Sequence, residues 1–138
     1  MQEHLKFYID GEWVDPATPA TLDVINPTTE APFATISMGS AADVEKDVAA
    51  AKTAFESFSK TSVQERMELL GAILGEYTKR YDEIAAAIST EMGAPIWLSK
   101  AAQAATGQAH FATTLELLKT YALEEKKGAY LLRKEPVG

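Results

Sequence analysis

The chain has 138 residues, 46% of them hydrophobic and 24% charged, an ordinary length and composition for one globular domain. Its 13 basic and 20 acidic residues give a formal net charge of −7, which argues against a nucleic-acid partner, since binding a phosphate backbone needs a basic face, and against docking on anionic membranes. There is no cysteine, hence no disulfide framework and no thiolate site within these residues. No apolar run approaches the roughly 18 residues of a transmembrane helix, and Met1 to Lys6 lack the apolar stretch of a secretory signal, so a cytoplasmic location is expected.

The first forty residues read as β structure. Asp10-Gly11, set between Phe7-Tyr8-Ile9 and Glu12-Trp13-Val14, is a two-residue hairpin signal, because a type I′ turn needs positive φ at both central positions. His4 is expected in a frayed terminus. Leu22 to Ile25 and Phe33 to Ser37 are short strands, separated by a turn at Asn26-Pro27-Thr28-Thr29-Glu30, where the proline fixes φ and lacks a donor.

Helices are expected over about 41–122. Ser40 with Asp43 marks the first N-terminus, and Val44, Val48, Ala51, Phe55 and Phe58 recur as one apolar stripe. Ser62 with Glu65 forms a capping box for the second helix. Its stripe of Val63, Met67, Leu70, Leu74, Tyr77, Tyr81, Ile84 and Ile88 runs long enough that Asp82 is expected to mark a bend or a fresh cap. Gly93 followed by Pro95 is a stop signal, and Pro95 suits the first turn of a further helix running to about Ala122. Gly107 weakens that helix by about 1 kcal/mol relative to alanine, which points to a close approach there. After Glu124 to Gly128, the run Ala129 to Lys134 reads as a strand.

No Gly-x-Ser-x-Gly elbow, G-x-G-x-x-G or P-loop occurs. Four patterns carry more weight together than singly: the Asp10-Gly11-Glu12-Trp13 hairpin, Ile25-Asn26-Pro27, Glu91-Met92-Gly93-Ala94-Pro95 between two helices, and Glu135-Pro136-Val137-Gly138. In that order and spacing they resemble the N-terminal portion of NAD(P)-dependent aldehyde dehydrogenases, over essentially the whole chain. One departure is Ala94, where many members carry lysine before the proline.

The resemblance implies an α+β fragment of an α/β enzyme: short antiparallel β-hairpins over 7–37, three to four packed helices, and a C-terminal edge strand. Residues 1–123 would begin the cofactor-binding domain, and 124–138 the bridging strand that joins subunits, with contacts at Tyr130, Leu131, Leu132, Arg133, Lys134 and Glu135. It also implies a monovalent-cation site between Glu91 and the main-chain carbonyls of Val24 and Ile25. The chemistry is sound, since hard cations prefer carboxylate and carbonyl oxygens. The helix after Pro95 resembles the wall of an aldehyde tunnel, which would place Ala109, His110 and Thr113 on it. His110 on its own reads as a packing or surface histidine, and His4 and His110 are too far apart in sequence to suggest a metal site.

The reaction implied is oxidation of an aldehyde to a carboxylic acid with NAD or NADP, through a cysteine thiohemiacetal, in a homodimer or homotetramer. The cysteine, the general-base glutamate, the oxyanion-stabilising asparagine and the ribose-contacting lysine are expected beyond Gly138, so this segment alone should be inactive scaffold. Its helical stripes expect a sheet that is mostly absent from the 138 residues. Two other classes stay open: a free-standing helical interaction module, and a homologue that lost its chemistry and kept a structural role.

Overall fold

The computed structural model describes residues 2–137. Strand β1 (Gln2–His4) precedes a hairpin of β2 (Phe7–Ile9) and β3 (Glu12–Val14), then β4 (Thr21–Asn26) and β5 (Ala31–Ser37). Four helices follow: α1 (Ala41–Phe58), α2 (Val63–Lys79), α3 (Tyr81–Met92) and α4 over residues 96–118. A second hairpin of β6 (Glu124–Lys127) and β7 (Tyr130–Arg133) closes the series. The class is α+β, as expected.

The turn chemistry acts where it was read. Asp10 and Gly11 have φ of 54° and 81°, and the strands pair Phe7 with Val14 and Ile9 with Glu12. Across the hairpin, the Tyr8 and Trp13 rings lie 5.3 Å apart on its exposed face. The Asn26 side chain accepts from the Thr28 amide at 2.8 Å, and the Glu30 amide closes the turn onto the Asn26 carbonyl at 2.8 Å.

The sheet differs from the expectation in one strand. β5 pairs antiparallel with β4, but its other edge pairs parallel with β1, with His4 opposite Ile36. His4 is therefore a strand residue, not part of a frayed end. The Ser37 hydroxyl donates to the Leu5 carbonyl at 2.7 Å and ties the incoming chain to the end of β5. Nothing local encodes this pairing, because a parallel partner lies some thirty residues away and supplies the hydrogen bonds.

Asp43 does more than cap α1. Its carboxylate accepts from the Ser40 amide at 2.9 Å, the Ser40 hydroxyl at 2.7 Å and the Ala17 amide at 2.9 Å. It thereby binds the loop after β3 to the first turn of α1, and it is buried. These bonds, the Ser40 hydroxyl first, hold its pKa below the ordinary 3.8. A carboxyl more acidic folded than unfolded contributes its full stabilisation above pH 3.8, and loses it as pH falls through the lowered folded value. Asp43→Asn is therefore expected to flatten the acid side of the stability profile. Urea midpoints should fall less between about pH 5 and about pH 3 than in the wild type, and an equal fall would contradict this role.

Ser62 and Glu65 form the second capping box. Arg66 spans the preceding turn, donating to Thr61 and to the Ser59 carbonyl while lying 5.8 Å from the Phe58 ring. The long stripe does break, at Arg80 (φ −101°, ψ 16°) rather than at Asp82. Gly93 takes the left-handed cap with φ 71°, and Pro95 is the N-cap of α4 rather than its first helical residue. α4 ends at Leu118, short of Ala122. The segment 124–138, expected to open one bridging strand with its strand-like run from Ala129, holds two paired strands, β6 and β7.

α4 is not uniform. It runs as α-helix over Ile96–Leu98, as π-helix over Ser99–Ala104, and as α-helix again over Ala105–Leu118. The wide turn packs on α3, and Ala85, Ser99 and Ala104 are completely buried where the two helices meet.

Few large side chains are buried. Among the described residues the fully enclosed apolar ones are Ala34, Ala85 and Ala104, while Val44, Val48 and Phe58 of the α1 stripe stay exposed. The accessible surface is 10120 Å², against about 7,000 Å² for a compact monomer of this mass. The excess is about 3,000 Å², and large apolar side chains stand exposed on the helices, as at Val44, Leu69 and Trp97, and on the strands, as at Trp13, Leu22 and Tyr130.

Candidate functional site

Three regions carry the residues singled out in the sequence. The first is a groove of about 520 Å³ between the sheet and α3, lined by His4, Val24, Phe33, Arg80, Thr90 and Glu91 among others. The β4–β5 register shifts between Val24 and Ile25. The pairing passes from Val24–Ala34 to Ile25–Pro32, so β5 is the bulged strand and Phe33 its extra, unpaired residue, while Ile25 is exposed and does not line the groove. The fold thus brings the Val24 backbone and the Glu91 side chain to one groove. Arg80 shares it, held to Glu83 at 3.0 Å, so its charge is already matched. Among the described residues no three His, Asp or Glu side chains cluster as metal ligands.

The second region is α4. Ala109, His110 and Thr113 are all exposed, and their spacing places them together on one side of the helix. Phe111, Leu115 and Leu118 are half-buried. Phe111 meets Tyr77 of α2 at 5.9 Å between ring centroids, and the Gln108 amide donates to Thr78 at 3.0 Å. α4 thus presents small polar and apolar side chains outward from a face anchored on α2.

The third region is the β6–β7 hairpin, turned by Gly128 at φ 63°. Tyr130, Leu131 and Leu132 are exposed, whereas Arg133 and Lys134 are engaged within the hairpin. Arg133 meets Glu124 at 2.7 Å and Lys134 meets Glu125 at 3.1 Å. Lys134 also reaches the Ala122 carbonyl and lies 4.4 Å from the centre of the Tyr121 ring. The hydrogen bond from Lys134 lowers the Glu125 pKa, and the Lys134 pKa rises through the same bond. Glu135 is exposed, 3.6 Å from Arg133.

Residues 13–138 match the model of the aldehyde dehydrogenase family. The chain belongs to that family. A curated relative from Staphylococcus aureus, which carries the name of an aldehyde dehydrogenase, is 42% identical over 138 residues, covering 100% of this chain and 29% of its own length. The crystal structure of an aldehyde dehydrogenase from Bartonella henselae superposes with a TM-score of 0.89 at 44% identity, over 91% of this chain and 26% of that one. An aldehyde dehydrogenase from Pseudomonas syringae, crystallised with NAD+ and octanal, gives a TM-score of 0.86 at 42% identity, over 89% of this chain and 25% of that one. The chain thus spans under a third of the length of the curated relatives it matches. No helix among the described residues is long and apolar enough to cross a membrane.

Within this aldehyde dehydrogenase segment, sequence reasoning missed one set of contacts. The Tyr77 hydroxyl donates to the Ala104 carbonyl at 2.8 Å, and the Tyr81 hydroxyl to the Lys100 carbonyl. Gly107 makes room for the first of these, since a Cβ there would lie 2.5 Å from the Tyr77 oxygen. The isolated glycine was the one sign in the sequence of this approach. The two tyrosines read only as members of an apolar stripe.

Proposed function

We propose that this protein takes part in NAD(P)-linked oxidation of an aldehyde to a carboxylic acid, with these 138 residues supplying framework, a wall of the aldehyde path and subunit contacts. The observation that carries the reading is the match to the Bartonella henselae enzyme at a TM-score of 0.89 and 44% identity. The Pseudomonas syringae neighbour, bound to NAD+ and octanal, supports NAD and a small aliphatic aldehyde as ligands of the whole protein. Within 138 residues there is no cysteine and no glycine-rich phosphate cradle. Attack on the carbonyl to give a thiohemiacetal therefore falls to a cysteine outside this segment, as do the contacts to the cofactor that accepts the hydride. The exposed helix stripes then have a natural use: they pack against the remainder of a longer chain.

Ala109, His110 and Thr113 form the outward side of α4 in this reading and line the path of the aldehyde. Tyr130, Leu131 and Leu132 meet a second subunit, because a hairpin with unpaired edges and exposed apolar side chains invites strand addition. Arg133, Lys134 and Glu135 stiffen that hairpin. A dimer or tetramer follows from such contacts. The test is the appearance of reduced nicotinamide when the complete natural protein receives octanal and NAD. Absence of turnover across short and long aldehydes with either NAD or NADP would overturn the reading.

The groove that Val24 and Glu91 share is our proposed site for a monovalent cation, since a carboxylate and main-chain carbonyl oxygens are the donors such ions take. In the complete protein the thermal midpoint is expected to be higher in potassium chloride than in choline chloride at equal ionic strength, and Glu91→Gln should erase the difference. An identical difference in the variant would remove Glu91 from the site.

A further inference from the structure

The wide turn of α4 is gripped from one side by two tyrosines. Tyr77, near the end of α2, and Tyr81, the first residue of α3, are one helical turn apart in sequence. Their hydroxyls donate to the carbonyls of Ala104 and Lys100, which are also one turn apart, both inside the π-helical segment Ser99–Ala104. Neither ring is fully buried, so both hydroxyls had water as an alternative partner. A π-turn absorbs an extra residue and disturbs the α-type ladder, so its carbonyls gain from outside donors. Gly107 leaves the space in which the Tyr77 ring lies across α4, and Lys100 is further tied to Asp82 at 2.8 Å.

The extra residue has a geometric consequence. Each residue of an α-helix turns about 100°, so one residue absorbed in a π-turn rotates everything after it by about that angle. Without it, Gln108 would stand where Ala109 stands, Ala112 where Thr113 stands, and His110 where Phe111 packs against Tyr77. The wide turn thus decides which side chains of α4 face outward and which face α2.

We propose that Tyr77 and Tyr81 are positioning residues whose hydroxyls hold the π-turn open and so fix which α4 side chains face the aldehyde. The aldehyde part of this rests on the function proposed above. The clamp itself rests on the two hydroxyl–carbonyl bonds, the matched one-turn spacing and the gap at Gly107.

The test uses the complete natural protein with Tyr77→Phe, Tyr81→Phe and both together, since phenylalanine keeps the ring and removes only the donor. Two readouts are taken: hydrogen exchange of the amides over 100–108, and kcat/KM for a short and a long aliphatic aldehyde alongside KM for NAD. Exchange is expected to accelerate about fivefold for each hydroxyl removed. The ratio of kcat/KM between the two aldehydes should shift by about fivefold in the double variant, with KM for NAD within about twofold of wild type. A merely structural role would leave that ratio unmoved. An active wild type whose double variant keeps both its aldehyde ratio and its exchange rates overturns the proposal. A wild type that oxidises no aldehyde overturns the proposed function instead, and takes the aldehyde role of the clamp with it. Should the double variant fail to fold, Tyr81→Phe alone decides by the same two readouts.

Discussion

Gly107→Ala is expected to destabilise the protein by about 2 kcal/mol, although alanine is the better helix former by about 1 kcal/mol. The cause lies across the helix interface. The new Cβ would stand 2.5 Å from the Tyr77 hydroxyl oxygen and 3.0 Å from the ring carbon that bears it. Tyr77 cannot stay, and moving it gives up the bond to the Ala104 carbonyl and the packing on Phe111. A lost hydrogen bond costs about 1 kcal/mol, and overpacking a fitted contact adds about 1–3 kcal/mol. The steric account has a distinctive consequence. In a Tyr77→Leu background the obstacle is gone, and Gly107→Ala should become stabilising by about 1 kcal/mol through helix propensity alone. Urea denaturation of the four proteins of this cycle measures it. A penalty that persists without the tyrosine would place the cause in the helix itself.

What the sequence made legible is what local chemistry decides. Asp10-Gly11 announced its turn because few residue pairs accept positive φ at both positions, and Ser62 with Glu65 announced a helix start because their side chains satisfy amides that nothing else can reach. Gly93 read correctly as a cap for the same reason. The features that escaped are those set by distant partners. β1 exists because the edge of β5 offers it a ladder, and Gln2 to His4 carry no strand signal of their own. β6 is a charged run, Glu124-Glu125-Lys126-Lys127, whose strand state is supported by Arg133 and Lys134 across the hairpin. The π-turn escaped because the alanine-rich residues around it are compatible with an unbroken α-helix. The widening is supported by buried contact with α3 and by two hydroxyls from elsewhere in the chain. The candidate site divides in the same way. Its residues were nameable from family resemblance, but the β5 bulge at Phe33 opposite Val24 and Ile25, and the proposed tyrosine clamp on the helix that carries Ala109, His110 and Thr113, depend on packing that only the fold supplies.

Gly93→Ala is expected to cost about 2–3 kcal/mol, because two separate penalties meet at one position. Gly93 has φ 71°, a backbone state that costs a residue with a Cβ about 1–2 kcal/mol. The added carbon would also lie 3.0 Å from Pro27 Cγ and 3.3 Å from the Thr28 hydroxyl oxygen. Those residues form the rigid turn between β4 and β5, where proline cannot yield by rotating a side chain. Gly128 provides the control. Its φ is 63°, yet nothing lies within 4 Å of a Cβ built there, so Gly128→Ala should show the backbone penalty alone, about 1–2 kcal/mol. The difference between the two substitutions in a thermal or urea melt therefore measures the contact between the α3 end and the Pro27 turn. Glu91 lies two residues before Gly93 at the same end of α3. On the cation site proposed above, Gly93→Ala should therefore weaken the potassium-dependent rise in thermal midpoint, and Gly128→Ala should leave it intact. Equal costs for the two glycines, with equal potassium responses, would mean that the turn and the helix end touch without constraining one another.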